Sequence, residues 1–205
     1  MRDLDLPVLL VHGYLCPKSA MLPLQRKLQS RGFWAHLVDL SPLCIQDIRV
    51  LSSELAENME RVLSEADARQ CDLVGISQGG LIAMHYAQSM AAAGRVRHLV
   101  ALGTPFKGTW ASALGLPLLG LVSKGIRQTV PGSRFLEELM AAGIPSGVRV
   151  TTISISGDLL APPDRCALAG AENIRLRGFP SPVTHQALIF SANALEALYR
   201  ALSAK

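Results

Sequence analysis

Short runs of aliphatic and β-branched residues alternate along this chain with longer stretches of helical period. That alternation restricts the fold more than any other feature. Val8-Leu9-Leu10-Val11 reads as a buried strand that ends at His12-Gly13. Met21 to Arg31 carries Leu24 and Leu28 at i, i+4 and stops before Gly32, as a helix does. His36-Leu37-Val38 is a second strand, and Ile45 to Glu65 is amphipathic through Leu51, Leu55, Met59, Val62 and Leu63. Asp72 to Ile76 is a third strand and Gln78 to Ala93 a helix. Strands follow at Val96 to Leu102, Val148 to Ser156 and Asn173 to Arg177, and a helix from Ala187 to Leu202 closes the chain. This β-α order predicts an α/β fold with a mostly parallel sheet of about six strands and helices on both faces. Right-handed crossovers then set the winding. The 205 residues suffice for one well-buried domain, so 1–205 reads as a single unit.

The rhythm breaks once, after the fourth strand. Residues 106–147 show no clear strand and many glycines, prolines and leucines. They read as an insertion over the C-terminal edge of the sheet. Its apolar stretch from Trp110 to Val122 is 13 residues, interrupted by Gly115, Pro117 and Gly120. It is too short to cross a bilayer as a helix.

Composition narrows the function classes. A hydrophobic fraction of 49% with 18% charged residues predicts a packed core rather than disorder. The net charge of +4 comes from scattered basic residues, which gives no reason to expect nucleic-acid binding. Asp3, Asp5 and Pro7 precede a short apolar run, unlike a secretory signal, so a cytoplasmic location is expected; removal of a signal beforehand would imply secretion. Cys16, Cys44, Cys71 and Cys166 form no C-x-x-C pair, which argues against a zinc or redox site. They read as reduced thiols, or as a disulfide source in an exported protein.

The chemistry centres on Gly75-Ile76-Ser77-Gln78-Gly79, a G-x-S-x-G sequence between a strand and a helix. In that setting the serine sits on a strained turn with positive φ, its Oγ raised above the sheet edge. Gly75 and Gly79 suit a place where strand and helix backbones crowd. A serine needs a base. Of His12, His36, His85, His98 and His185, only His185 follows Ser77 in a loop, before the last helix. His85 and His98 fall within helix and strand patterns. The acid belongs just past a strand, and Asp158 ends the fifth strand, 27 residues before His185. Asp164 and Glu172 are its competitors. The oxyanion donors expected are the backbone N–H of Gln78 and that of Tyr14, with Leu15 as the near alternative. This chemistry requires no cofactor and no metal, and no dense acidic loop argues for Ca²⁺.

Three segments resemble the bacterial triacylglycerol lipases and esterases of the α/β-hydrolase superfamily. They are Leu9-Leu10-Val11-His12-Gly13, Leu73 to Gly80, and Leu102-Gly103-Thr104-Pro105-Phe106-Lys107-Gly108-Thr109. The order Ser77, Asp158, His185 also matches that family. The resemblance spans Pro7 to about Leu202. It implies a minimal lipase-type α/β-hydrolase lacking the larger members' first two strands. Phe106 stands where the family often has His, which places it at the pocket rim. Leu15, Phe106, Trp110 and Leu114 are the substrate-binding candidates.

The insertion has two readings. Trp110, Leu114, Leu116, Leu118, Leu119, Leu121 and Val122 form either a lid or acyl-chain wall that touches lipid, or a helix pair packed into the core. The expected function is hydrolysis of carboxylic esters of apolar acyl groups, in a small-molecule or lipid substrate. A thioesterase or acyltransferase with the same triad is the alternative, and a non-catalytic binding module the third. Acyl length and oligomeric state stay open.

Overall fold

The computed structural model describes residues 6–89, 92–119, 123–181 and 183–204, with the backbone alone described for 115–119. Six parallel strands form one sheet in the order β2-β1-β3-β4-β5-β6. They are β1 (Pro7–Val11), β2 (Trp34–Leu37), β3 (Cys71–Ile76), β4 (Val96–Leu102), β5 (Arg149–Ile155) and β6 (Glu172–Leu176). The order reverses beside β1, so β1 and β3 lie at the switch point. Ligand crevices of open α/β sheets form at such points, outside the C-terminal ends of the strands.

Both faces of the sheet are buried, which explains why its strands are nearly continuously apolar. Side chains alternate between two cores. Leu9, Val11, Leu73, Leu99 and Ala101 face one core. It is closed by α2 (Ile48–Glu65), α3 (Gln78–Ala87) and α6 (Arg134–Ala142). Val8, Leu10, Val74, Ile76, Val100 and Leu102 face the other. There α1 (Leu22–Gln29), α8 (Thr184–Phe190) and α9 (Ala192–Ser203) cover them, and the short α7 (Pro163–Cys166) lies between β5 and β6. Helix starts follow local chemistry. Asp47 accepts a hydrogen bond from Arg49 N–H at the start of α2, and Ser133 does the same for Leu136 at α6.

Three expectations need correction. The closing helix is two helices. Ser191 between them is extended (φ −71, ψ 141), and its Oγ accepts from Ala194 N–H, so it ends α8 and caps α9. His185 therefore lies in the first turn of α8 rather than in a loop. The helix after Ser77 ends at Ala87, with Gln88 as its C-cap; the Gln88 side-chain amide donates to the carbonyls of Leu139 and Gly143, 2.8 Å each.

The insertion contains α4 (Trp110–Leu119), α5 (Lys124–Gln128) and α6, with no strand among the described residues. Its second half is bolted to the body. Gln128 accepts from Ile48 N–H (2.8 Å) and donates to Asp47 (2.7 Å), while Phe135, Leu136 and Leu139 are buried in the core. Leu121 and Val122 fall outside the described residues, as do the side chains of Leu116, Leu118 and Leu119.

His98 illustrates what burial does to a titrating group. It is fully buried on β4, its Nδ1 accepting from Arg149 (3.1 Å) and its Nε2 facing Thr151 Oγ1 (2.9 Å). Burial, then the charges of Arg149 and Arg97, push its pKa down to about 3 from 6.5. Below pH 6.5 the unfolded chain binds a proton that the folded one refuses, so stability falls as pH falls. This one group removes about 2 kcal/mol between pH 6.5 and pH 5. Urea unfolding at pH 7 and pH 5 checks this. A His98→Gln variant has a flatter pH response than wild type.

Candidate active site

The site assembles where the strands of the sheet end. Ser77 follows β3 with φ 53 and ψ −126, a conformation unfavourable to any residue with a Cβ. Three contacts hold it there: its N–H donates to Leu102 O (2.8 Å), its carbonyl accepts from Gly80 N–H (3.1 Å), and α3 starts at the next residue. The glycines around it are a packing requirement. A Cβ on Gly75 would stand 2.5 Å from Gly80 Cα, so strand and helix could not approach. The outcome is a serine at a helix N-terminus, where backbone N–H groups and the helix dipole favour negative charge.

Asp158 and His185 come together from different elements. His185 Nδ1 lies 2.7 Å from Asp158 Oδ2. The other carboxylate oxygen accepts from Leu160 N–H (2.9 Å) and Ala161 N–H (3.0 Å). Burial alone would raise the Asp158 pKa. The hydrogen bond and charge of His185, with the two backbone donors, outweigh it and hold the carboxyl below the usual carboxylate range. The group is therefore an anion wherever histidine titrates. Two further contacts steady the dyad. Thr184 Oγ1 donates to Phe179 O (2.8 Å) and fixes the start of α8. Gly103 (φ +55) lies under the His185 ring, where a Cβ would stand 3.1 Å from Cε1.

The competing acids lie elsewhere. Asp164 is exposed and pairs with Arg175 at 3.7 Å. Glu172 accepts from Thr151. Among the histidines, His85 packs on Phe135 and His36 on Trp34, both away from the cavity. His12 is buried beside the Cys44 sulfur, which lies 3.4 Å from its Nδ1. Burial lowers the His12 pKa and pushes that thiol up to about 12. The pair reads as neutral packing under the loop after β1.

Ser77 and His185 line one mainly apolar cavity of about 510 Å³, together with Tyr14, Leu15 and Gln78. That size suits a small organic group. In the loop after β1, Leu15 N–H donates to Leu43 O at 2.7 Å, and Tyr14 N–H makes no such backbone bond among the described residues.

The remaining substrate candidates are corrected by the structure. Phe106 is fully buried in the core with the residues of α2, α3 and α6, and its N–H donates to Thr104 O in the turn after β4. Trp110 and Leu114, one helical turn apart on α4, face outward and do not line the cavity. The opposite face of α4 presents Ala111 and Ser112 to it instead. Ile126, Thr129, Leu160, Ala161 and Ile189 complete much of the wall, and the sequence did not mark them. Small residues at 111 and 112 beside large ones at 110 and 114 were the available signal for α4. Among the described residues no cluster of metal-binding side chains occurs, and no helix is long and apolar enough to cross a membrane.

A parallel sheet with this order and a strained serine after β3 defines an α/β-hydrolase. The comparisons agree. The chain superposes on a lipase from Bacillus licheniformis with a TM-score of 0.81 and 18% identity, covering 97% of this chain and 92% of that one. It superposes on Aspergillus fumigatus lipase B at 0.75 and 18%, covering 97% of this chain and 52% of the other. A carboxylesterase structure from Nitrososphaera gargenis gives 0.60 and 16%, over 95% of this chain and 88% of that one. The palmitoyl protein thioesterase family model matches residues 7–142, and the chain belongs to that family. No curated protein matches the sequence. Fold and family make this protein a hydrolase of esters or thioesters.

Proposed function

We propose that Ser77, His185 and Asp158 are a catalytic triad, and that the enzyme hydrolyses esters of apolar acyl groups through an acyl-enzyme on Ser77. The observation that carries this reading is that His185, paired with the buried Asp158 at 2.7 Å, lines one apolar cavity together with Ser77. Ser77 Oγ attacks the acyl carbonyl while His185 Nε2 takes its proton. Asp158 holds the Nδ1 proton, which fixes the tautomer and stabilises the imidazolium. The oxyanion receives N–H bonds from Gln78 and Tyr14. His185 returns the proton to the departing group. Water then attacks the acyl-enzyme with His185 as base, and the acid leaves.

The family match favours a second leaving group. A thiolate, from a thiol of pKa near 8.5, departs with less help from the acid than an alkoxide does. Thioesters therefore suit the same machinery. The discriminating experiment measures kcat/KM on p-nitrophenyl esters and acyl-CoA thioesters of matched chain lengths. Higher values on long-chain esters support the esterase reading, and higher values on thioesters support the thioesterase. Inertness on both supports a binding module.

A further inference from the structure

We propose that the C-terminal edge of the sheet, around the cavity mouth, docks on an anionic phospholipid surface. The proposal concerns a surface and does not depend on the triad. In a parallel sheet every loop that follows a strand emerges at the same edge. Here those loops carry large apolar side chains that point into solvent. Leu15 follows β1 and is 53% exposed. Trp110 and Leu114 follow β4 at 62% and 84%. Leu159 follows β5, and Phe179 and Val183 follow β6, with Phe179 at 87%.

The loops are tied to one another. Thr109 Oγ1 donates to Leu160 O at 2.5 Å, joining the start of α4 to the loop after β5. Asp158 pairs with Ser181, joining that loop to the one after β6. The side chains of the loops after β4, β5 and β6 are therefore held together at one edge, and Leu15, which lines the cavity, emerges at the same edge. Exposed apolar groups gathered in one place mark an interaction surface.

Charge selects the partner. The loops and short helices at this edge carry Lys18, Lys107, Lys124, Arg127, Arg165 and Arg177 against Asp39, Asp47, Asp158 and Asp164. Asp158 is sealed against His185 and Asp47 caps α2, so neither presents its charge outward. Asp39 and Lys18 neutralise each other and Asp164 is bound by Arg175, which leaves Lys107, Lys124, Arg127, Arg165 and Arg177 as the cationic surplus. Arg165 stacks its guanidinium over the Trp110 ring at 5.0 Å, which puts a cation beside an apolar anchor. An apolar ring with a cationic surround fits a bilayer whose headgroups are negative and whose acyl region accepts Phe and Leu side chains. The docked cavity mouth then faces the membrane, where acyl groups on lipids or on tethered proteins reside.

The test is co-sedimentation of the Ser77→Ala protein with vesicles of pure phosphatidylcholine and of phosphatidylcholine mixed with phosphatidylglycerol. The inactive protein leaves the vesicles intact and uncouples docking from turnover. Strong binding to the mixed vesicles alone, released by salt, is the expected result. Phe179→Glu, and separately Lys107→Glu, weakens it, the latter by roughly fivefold or more. Neither side chain lines the cavity, so Ser77-bearing versions hydrolyse a water-soluble short ester at the wild-type rate. Absence of binding overturns the proposal, as does equal, salt-independent binding to both vesicles. Self-association that Phe179→Glu abolishes overturns it too, since the face would then be covered by a second copy of this chain.

Discussion

Ser77→Ala loses roughly 10⁶-fold in kcat on a p-nitrophenyl ester while the protein stays folded. The loss is that large because Ser77 is the nucleophile of the proposed triad, so its removal removes the covalent route altogether. What remains is the contribution of the oxyanion donors and of binding, which leaves KM little changed. A companion variant separates chemistry from structure. Ser77 holds φ 53 and ψ −126, which costs about 1–3 kcal/mol for a residue with a Cβ. Ser77→Gly is equally inactive but unfolds at a higher denaturant concentration than wild type, because glycine adopts that conformation freely. Chemical denaturation of the three proteins beside their kcat values checks both halves. A Ser77→Ala enzyme within an order of magnitude of wild type removes the serine from the mechanism.

Asp158→Asn costs about 10⁴-fold in kcat, with KM nearly constant. Asparagine fills the same space and keeps an oxygen for the Leu160 and Ala161 N–H groups. The atom facing His185 Nδ1 becomes an NH₂, however, and it stabilises the wrong tautomer. The proton on His185 then sits on Nε2, the nitrogen that must accept from Ser77. The pH sign follows from the depressed Asp158 pKa. A carboxyl held below its unfolded value contributes stability above the usual carboxylate range, and that contribution is lost as pH falls through the folded value. Wild type therefore loses this part of its stability only in strong acid, and Asp158→Asn lacks that loss. Comparing urea midpoints of the two proteins between neutral pH and pH 3 reads it directly.

The parts of this molecule written in local sequence were legible, and those written in tertiary contact were not. β3, Ser77 and α3 are contiguous, so glycine spacing and strand-to-helix change announced the positive φ that the backbone adopts. Asp158 could be chosen because acids of this kind follow a strand end, and β5 stops at Ile155. His185 was reached by elimination, yet its helical setting was missed, since Thr184 bonding to Phe179 O is a contact that no period reveals. The same holds at Ser191, where a cap for α9 interrupts an unbroken amphipathic pattern. Phe106 went wrong for a different reason. An aromatic beside Thr104-Pro105 fits a rim or a core equally well in sequence, and its burial in the core is a tertiary contact. Trp110 and Leu114 belong to an apolar segment that reads as a lid or acyl-chain wall, whereas the α4 residues that line the cavity are Ala111 and Ser112.

The most direct test of the acyl-enzyme mechanism is trapping. Wild type is incubated with a fluorophosphonate carrying an alkyl chain, digested, and its peptides are weighed by mass spectrometry. A single phosphonyl adduct on the peptide bearing Ser77, lost in Ser77→Ala and strongly slowed in Asp158→Asn, is the result expected of an activated nucleophile in this cavity. An adduct on another residue, or none on a folded protein, contradicts the assignment of Ser77.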